Sequence, residues 1–283
     1  MKVGFNMLLW TTHVADEHLP LLQTLKKVGY DGVEVPIFEG DIAHFEKVGK
    51  AIKDNGLGCT SVTVIPDEQH NPISADASHR RAAVDYLRWA IDCSAAVGST
   101  VLCGPIYQPL GVFTGQSPTE DEKQRAAEAH QQAAEFAAKA NLTLAVEYLN
   151  RFECYFLNTM ADAADYVKRV NHPNVGVLYD TFHANIEEKD PVGCISPYVD
   201  LIRHVHISEN DRGTPGKGHI DWPGTFKALR SGGYDDWMVI EAFGRALPGL
   251  AAATRVWRDF FPSAEEVYTE ALKLIKEQWE AAA

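Results

Sequence analysis

Four ionisable side chains in the second half of the chain stand at the ends of apolar, strand-like runs: Glu147 follows LTLAV, Asp180 follows VGVLY, His206 ends LIRHVH, and Glu241 follows MVI. A charged group behind a buried strand is expensive unless it is paired or coordinates a metal. Any one of these residues alone reads equally well as a helix N-cap or a surface residue. Four in succession do not. Three carboxylates and one imidazole converging on a point make a hard, oxygen-rich pocket that suits Mn²⁺, Mg²⁺ or Co²⁺ better than a thiol-loving metal. A second ring of polar groups follows the same runs: Glu153 six residues after Glu147, His183 three after Asp180, and Glu209 and Arg212 three and six after His206. The ordinary fate of such residues is a solvated loop, but beside a metal an Arg and a His are donors for a developing oxyanion. His204, two residues before His206, shares its face by strand alternation and is expected one layer deeper, as a hydrogen-bonded interior residue.

The elements that must position these groups follow from the hydrophobic pattern. Short β-forming runs alternate with longer segments of helical periodicity, the signature of βα units on a parallel sheet. Eight strands are expected: Val3 to Leu9, Gly32 to Pro36, Gly58 to Ile65, Thr100 to Gly104, Thr143 to Glu147, Val175 to Asp180, Ile202 to Ser208 and Trp237 to Glu241. Helical patterns include His79 to Val97, Lys123 to Asn141 and Ala264 to Trp279, and Gly29, Gly56, Gly98 and Asn141 stand where a left-handed C-cap is least costly. Gly104 to Pro118 reads as a long loop, and Arg255 to Pro262 carries an aromatic cluster. No linker or low-complexity tract divides the chain, so residues 1–283 are expected to form one α/β domain, a (β/α)₈ TIM barrel. An open doubly wound sheet is disfavoured because the GxGxxG loop after its first strand is missing. In a barrel all strand C-termini converge on one face, where sites of this fold are built.

The formal charge of -13, spread along the chain, excludes the basic footprint of a nucleic-acid binder and suits a carboxylate metal site. No apolar stretch approaches a membrane span, and the N-terminus, MKVGFNMLLW, lacks a small-residue cleavage site, so a cytoplasmic protein without membrane partners is expected. Five cysteines without CxxC spacing indicate neither disulfides nor a cysteine-bound zinc.

With these residues in place the chain resembles the ketose 3-epimerase family, which includes D-tagatose 3-epimerase and D-allulose 3-epimerase. The motifs that carry the resemblance are VEYLNRFE at Val146 to Glu153, YDTFHANIEE at Tyr179 to Glu188, HVHISENDRGTPGKG at His204 to Gly218, VIEAF at Val239 to Phe243 and VWRD at Val256 to Asp259. They span most of the C-terminal half. The resemblance implies that Glu147, Asp180, His206 and Glu241 hold one divalent ion, Mn²⁺ first with Co²⁺ or Mg²⁺ as alternatives. It further implies that Glu147 and Glu241 double as the catalytic pair, that Glu153, His183 and Arg212 bind the O1 to O3 end of a ketose, and that the protein is a homodimer or homotetramer. The first strand departs from the family, carrying Asn6 and Met7 where an aromatic is common, with Trp10 nearby. Around Val62 to Pro66 and Pro105 to Leu110 the residues also differ. Asn6 and Val62 are accordingly expected to touch the sugar, the variable positions facing O4 to O6, and Trp10 reads either as a sugar platform or, at least as well, as a core aromatic.

Epimerising a carbon next to a ketone requires removing a C–H proton from one face and returning one on the other, which two bases on opposite faces accomplish. A divalent cation polarises the carbonyl and favours a cis-enediolate, and each carboxylate alternates between base and acid. Other readings on the same scaffold are an aldose–ketose or hydroxypyruvate isomerase and an inosose dehydratase. A repair nuclease related to endonuclease IV would need a basic groove and extra histidines, and a non-catalytic sugar-binding barrel would be expected to lack one of the two glutamates.

Overall fold

A computed structural model describes residues 1–283. Eight parallel strands close on themselves in sequence order: β1 (Lys2–Asn6), β2 (Gly32–Pro36), β3 (Gly58–Val62), β4 (Val101–Gly104), β5 (Thr143–Glu147), β6 (Val175–Asp180), β7 (Ile202–Ile207) and β8 (Trp237–Ile240), with β1 pairing β8. The helices are α1 (Leu19–Val28), α2 (Ile42–Asp54), α3 (Ala77–Val97), α4 (Glu120–Lys139), α5 (Met160–Val170), α6 (Thr181–Glu187), α7 (Trp222–Ser231), α8 (Pro248–Thr254) and α9 (Ala264–Ala281). The chain is a (β/α)₈ TIM barrel.

Helix ends follow local chemistry. Thr119 and Glu122 close a capping box on α4, and Thr159 and Asp162 do so on α5, each satisfying backbone N–H groups that would otherwise lack partners. Gly29, Gly56, Gly98 and Asn141 all adopt positive φ as expected. The seven buried alanine and histidine positions of α4 let that helix sit close on the sheet.

Two hydrophobic cores result. The larger, of 63 buried residues, lies between barrel and helices. A smaller one includes Val62, Val101, Cys103, Ala145, Leu178, Trp237 and Val239, and these inward positions fill the barrel itself. Trp237 packs at its lower end, so close to β2 that a Cβ on Gly32 would lie 2.5 Å from the indole.

The third strand, expected through Ile65, ends at Val62, and the first strand also differs from expectation. It ends at Asn6, where the Asn6 side chain accepts the Leu8 N–H and starts a 3-10 turn over Met7–Leu9. The strand expected through Leu9 therefore stops three residues early, and the side-chain alternation beyond Asn6 is lost. The short helix α8, in a segment containing Pro248 and Gly249, was not anticipated.

Candidate metal centre and sugar pocket

Strands β5 to β8 deliver their ionisable ends to one point. Glu147, Asp180, His206 and Glu241 are all buried, and one ligand atom from each lies within 4.8 Å of the others. His206 Nδ1 stands 3.4 Å from Glu241 Oε1, 3.7 Å from Asp180 Oδ2 and 3.8 Å from Glu147 Oε1. It has no hydrogen-bond partner. A buried ring nitrogen without a partner, facing three carboxylates at such distances, fits a divalent cation at their centre.

Each ligand is held by its own element. Asp180 ends β6 and caps α6, its Oδ1 accepting the N–H of Phe182 at 2.6 Å, while Oδ2 accepts from Ser208 Oγ at 3.2 Å and Arg212 Nη1 at 3.1 Å. Arg212 also donates to Glu241 Oε2 at 2.7 Å and reaches His183 Nε2 at 3.0 Å. Its guanidinium is stacked between Phe182, 3.9 Å away, and Phe243, 4.9 Å away. The Arg212 backbone lies in the left-handed region at φ 65°, a conformation uncommon for such a residue and characteristic of functional sites. Its N–H bonds Glu209 O, and its carbonyl accepts the Phe243 N–H at 2.9 Å, tying the β7 loop to the β8 loop.

The electrostatics split the carboxylates. Burial pushes Glu147 well above the usual range, and Glu241 and Asp180 add to this against the pull of His206. Burial acts on Asp180 in the same sense, but the Arg212 guanidinium foremost outweighs it and holds that acid below the usual range. Burial and then Arg212 bring the His183 imidazole down to about 3, so it is neutral. The Nδ1 of that ring receives the Asn150 N–H at 3.0 Å.

Beside the ligands lies a pocket of about 70 Å³. Glu147, Glu153, His183, Arg212 and Glu241 line its polar side. Leu8, Phe38, Val62, Val64, Leu110 and Phe243 are among the residues of its apolar side, and Leu250 of α8 contributes as well. Glu153 receives Asn150 Nδ2 at 2.7 Å, and burial raises its pKa.

The structure thus brings together eight of the residues singled out in the sequence, Glu147, Glu153, Asp180, His183, His206, Arg212, Glu241 and Val62, and places Asn6, Trp10 and Glu209 outside the pocket. Asn6 is 1% exposed beneath the pocket, its amide donating to Glu34 and Glu241; Leu8, carried up by the 3-10 turn, lines the pocket instead. Trp10 packs against Phe5 and Tyr268, at ring distances of 5.0 and 6.4 Å, between β1 and α9. Glu209 is no rim residue: it is buried and accepts from Gly216 N, Ile220 N and Trp222 Nε1, holding the β7 loop in shape. His204 is interior and hydrogen-bonded, as expected.

The sequence reading missed Glu34. It lies in the middle of β2 with no exposure, 2.8 Å from both His204 Nε2 and His206 Nε2. An acid inside GVEVP was the available signal, the same costly feature that marked β5 to β8.

The family model for the xylose isomerase-like TIM barrel matches residues 22–278. A "Probable ketose 3-epimerase" of Synechocystis is 31% identical over 280 residues, covering 99% of this chain and 97% of that protein. The ketose 3-epimerase of Arthrobacter globiformis is 30% identical over 281 residues, covering 98% and 96%. The chain belongs to the ketose 3-epimerase family. Among solved structures an L-ribulose 3-epimerase superposes with a TM-score of 0.92 at 30% identity, covering 99% of this chain and 95% of its own. As a member of the ketose 3-epimerase family the protein is an isomerase acting on carbohydrates. No helix is long and apolar enough to cross a membrane.

Proposed function

We propose that this chain epimerises a ketose at C3 through a cis-enediolate, with Glu147 and Glu241 as the acid–base pair. The observation that carries the reading is the partnerless Nδ1 of His206 facing Glu147, Asp180 and Glu241. Glu147, Asp180, His206 and Glu241 would hold the ion, and their nitrogen and oxygen donors suit Mn²⁺, Co²⁺ or Mg²⁺, of which the family resemblance puts Mn²⁺ first. When bound, a divalent cation supplies Lewis-acid polarisation of the substrate carbonyl.

The chain's own residues account for the rest. Glu147 and Glu241 both line the pocket, from β5 and the end of β8, and in this reading a ketose binds with opposite faces of C3 toward the two carboxylates. One takes the proton and the other returns one, each reversing role in the reverse reaction. Arg212, stacked on Phe182 and bonded to Asp180 and Glu241, supplies fixed positive charge where the enediolate oxygens develop negative charge. Neutral His183 offers a hydrogen bond without adding charge, and Glu153 can accept from a substrate hydroxyl. The apolar side formed by Leu8, Phe38, Val62 and Leu110 would shed water around the far carbons. The relatives' names include D-psicose and L-ribulose 3-epimerases, and free ketoses of this size are the proposed substrates.

The test is incubation of metal-free protein with Mn²⁺ and free ketoses in D₂O, with deuterium followed by NMR. Metal-dependent label at C3 together with the C3 epimer is expected. Label at C1 alone would redirect the reading to aldose–ketose isomerisation, and no exchange with any free ketose would refute free-sugar epimerisation.

A further inference from the structure

Beneath the metal ligands lies a second buried cluster, formed by Glu34 of β2, Cys103 of β4 and His204 and His206 of β7. These strands are not neighbours in the barrel, so the contacts cross its interior. The Glu34 carboxylate has no exposure. Its Oε1 faces Asn6 Nδ2 at 3.0 Å and His206 Nε2 at 2.8 Å; its Oε2 faces Thr60 Oγ1 at 2.9 Å, His204 Nε2 at 2.8 Å and Cys103 Sγ at 3.3 Å. An ionised carboxylate only accepts, so each partner contributes a hydrogen.

We propose that Glu34 is a positioning residue: it fixes His206 as the Nε2–H tautomer, so that Nδ1 presents its lone pair to a metal ion, and through Asn6 it sets the orientation of Glu241. The proposal rests on the reading of His206 as a metal ligand. The two ring nitrogens of a ligating imidazole are not independent, because the hydrogen bond made by one decides which atom is left to bind the metal. Here Nε2 meets a carboxylate at 2.8 Å and Nδ1 meets no donor.

Asn6 extends the arrangement. Its Oδ1 accepts the Leu8 N–H at 2.9 Å, which fixes the amide orientation, and Nδ2 then places one hydrogen toward Glu34 Oε1 and the other toward Glu241 Oε1, each at 3.0 Å. The second oxygen of Glu241 is held by Arg212. Glu34 therefore organises one ligand directly and a second through a single amide. Loss of a buried acid that served packing alone would alter stability without altering metal affinity.

Glu34→Gln tests this, because it keeps size while replacing one acceptor oxygen by an N–H₂ group. An amide donor facing Nε2–H is relieved when the His206 proton moves to Nδ1, where it blocks the ligand position. The expected result by titration calorimetry is a Kd for Mn²⁺ raised roughly 10–100-fold over wild type, in protein whose circular dichroism is unchanged. If the variant fails to fold, ¹⁵N NMR of the Mg²⁺-loaded wild type reads the tautomer directly, and a hydrogen on Nε2 of His206 is expected. Affinity of Glu34→Gln within a factor of about two of wild type, or a hydrogen on Nδ1 in the wild type, overturns the proposal. Wild-type protein that binds neither ion would instead refute the metal reading on which it rests.

Discussion

Glu147 and Glu241 occupy unlike surroundings although they are assigned matching roles. Glu147 has His183 Nε2 at 3.7 Å and no direct contact with Arg212, whereas Glu241 is gripped by Arg212 at 2.7 Å and by Asn6. Glu147→Gln and Glu241→Gln, assayed at saturating Mn²⁺, are each expected to lower turnover about 10²–10⁴-fold, the range of a lost general acid or base. Substantial deuterium exchange at C3 by either variant would remove it from the acid–base pair. Arg212→Lys keeps the charge but loses the planar fork that spans Asp180, Glu241 and His183 and stacks on Phe182. A fall of about 10²-fold in kcat/KM is expected, as for loss of an oxyanion donor; unchanged kcat/KM would show that charge alone suffices. The ligand set was legible because each residue closes an apolar run, where an ionisable group is conspicuous. Glu34 was not, because V-E-V also reads as ordinary alternation with one wet face, and only closure of the barrel buries both faces of β2.

At the level of elements, legibility depended on how long and how regular the pattern is. β2, β5 and β6 appear with the expected ends, and α3, α4 and α9 within a few residues. The end of β1 was misread because a 3-10 turn begins at a side-chain bond from Asn6, which no periodicity registers, and α8 was missed because a seven-residue helix beginning at Pro248 gives too short a repeat. The turn carries a prediction. Asn6→Leu removes donors from Glu34 and Glu241 together, so it is expected to weaken Mn²⁺ binding and leave the order of preference among ketoses unchanged; the reverse pattern in paired titrations and substrate profiles would place Asn6 at the sugar. A second prediction concerns α4. His130 is wholly buried, bonded to Tyr166 of α5 and to Ile106 O in the long β4 loop, and burial brings its imidazole from 6.5 down to about 4. Below 6.5 the unfolded chain takes up a proton that the folded chain refuses, so this contribution is complete above 6.5 and is lost as pH falls toward 4. A loss of roughly 3 kcal/mol across that window is expected in denaturant melts of the wild type, beyond whatever His130→Gln shows. Parallel pH profiles for the two proteins would refute it.

On the scale of the whole molecule, the four proposed ligands come from β5, β6, β7 and the end of β8, so one ion would bridge half of the barrel through side chains that otherwise repel. Three carboxylates and Glu34 lie in the same water-poor interior, where Arg212 pairs with Asp180 and Glu241. A group that binds only the folded chain stabilises it by mass action, about 2.7 kcal/mol at a free concentration 100-fold above Kd. For a chain of this size that corresponds to a rise of roughly 4–5 °C in Tm. Mn²⁺ added to chelator-treated protein is expected to produce such a shift, and Asp180→Asn to reduce it severely, because Asp180 Oδ2 faces His206 Nδ1 while Oδ1 caps α6. Hydrogen exchange distinguishes this from non-specific binding to a surface of net charge -13. Slowing concentrated in the loops that follow β5 to β8 is the expected pattern, since these carry the ligands and Arg212. A Tm indifferent to Mn²⁺, or protection centred on the loops after β1 to β4, would mean that the four ionisable ends converge for a reason other than holding an ion.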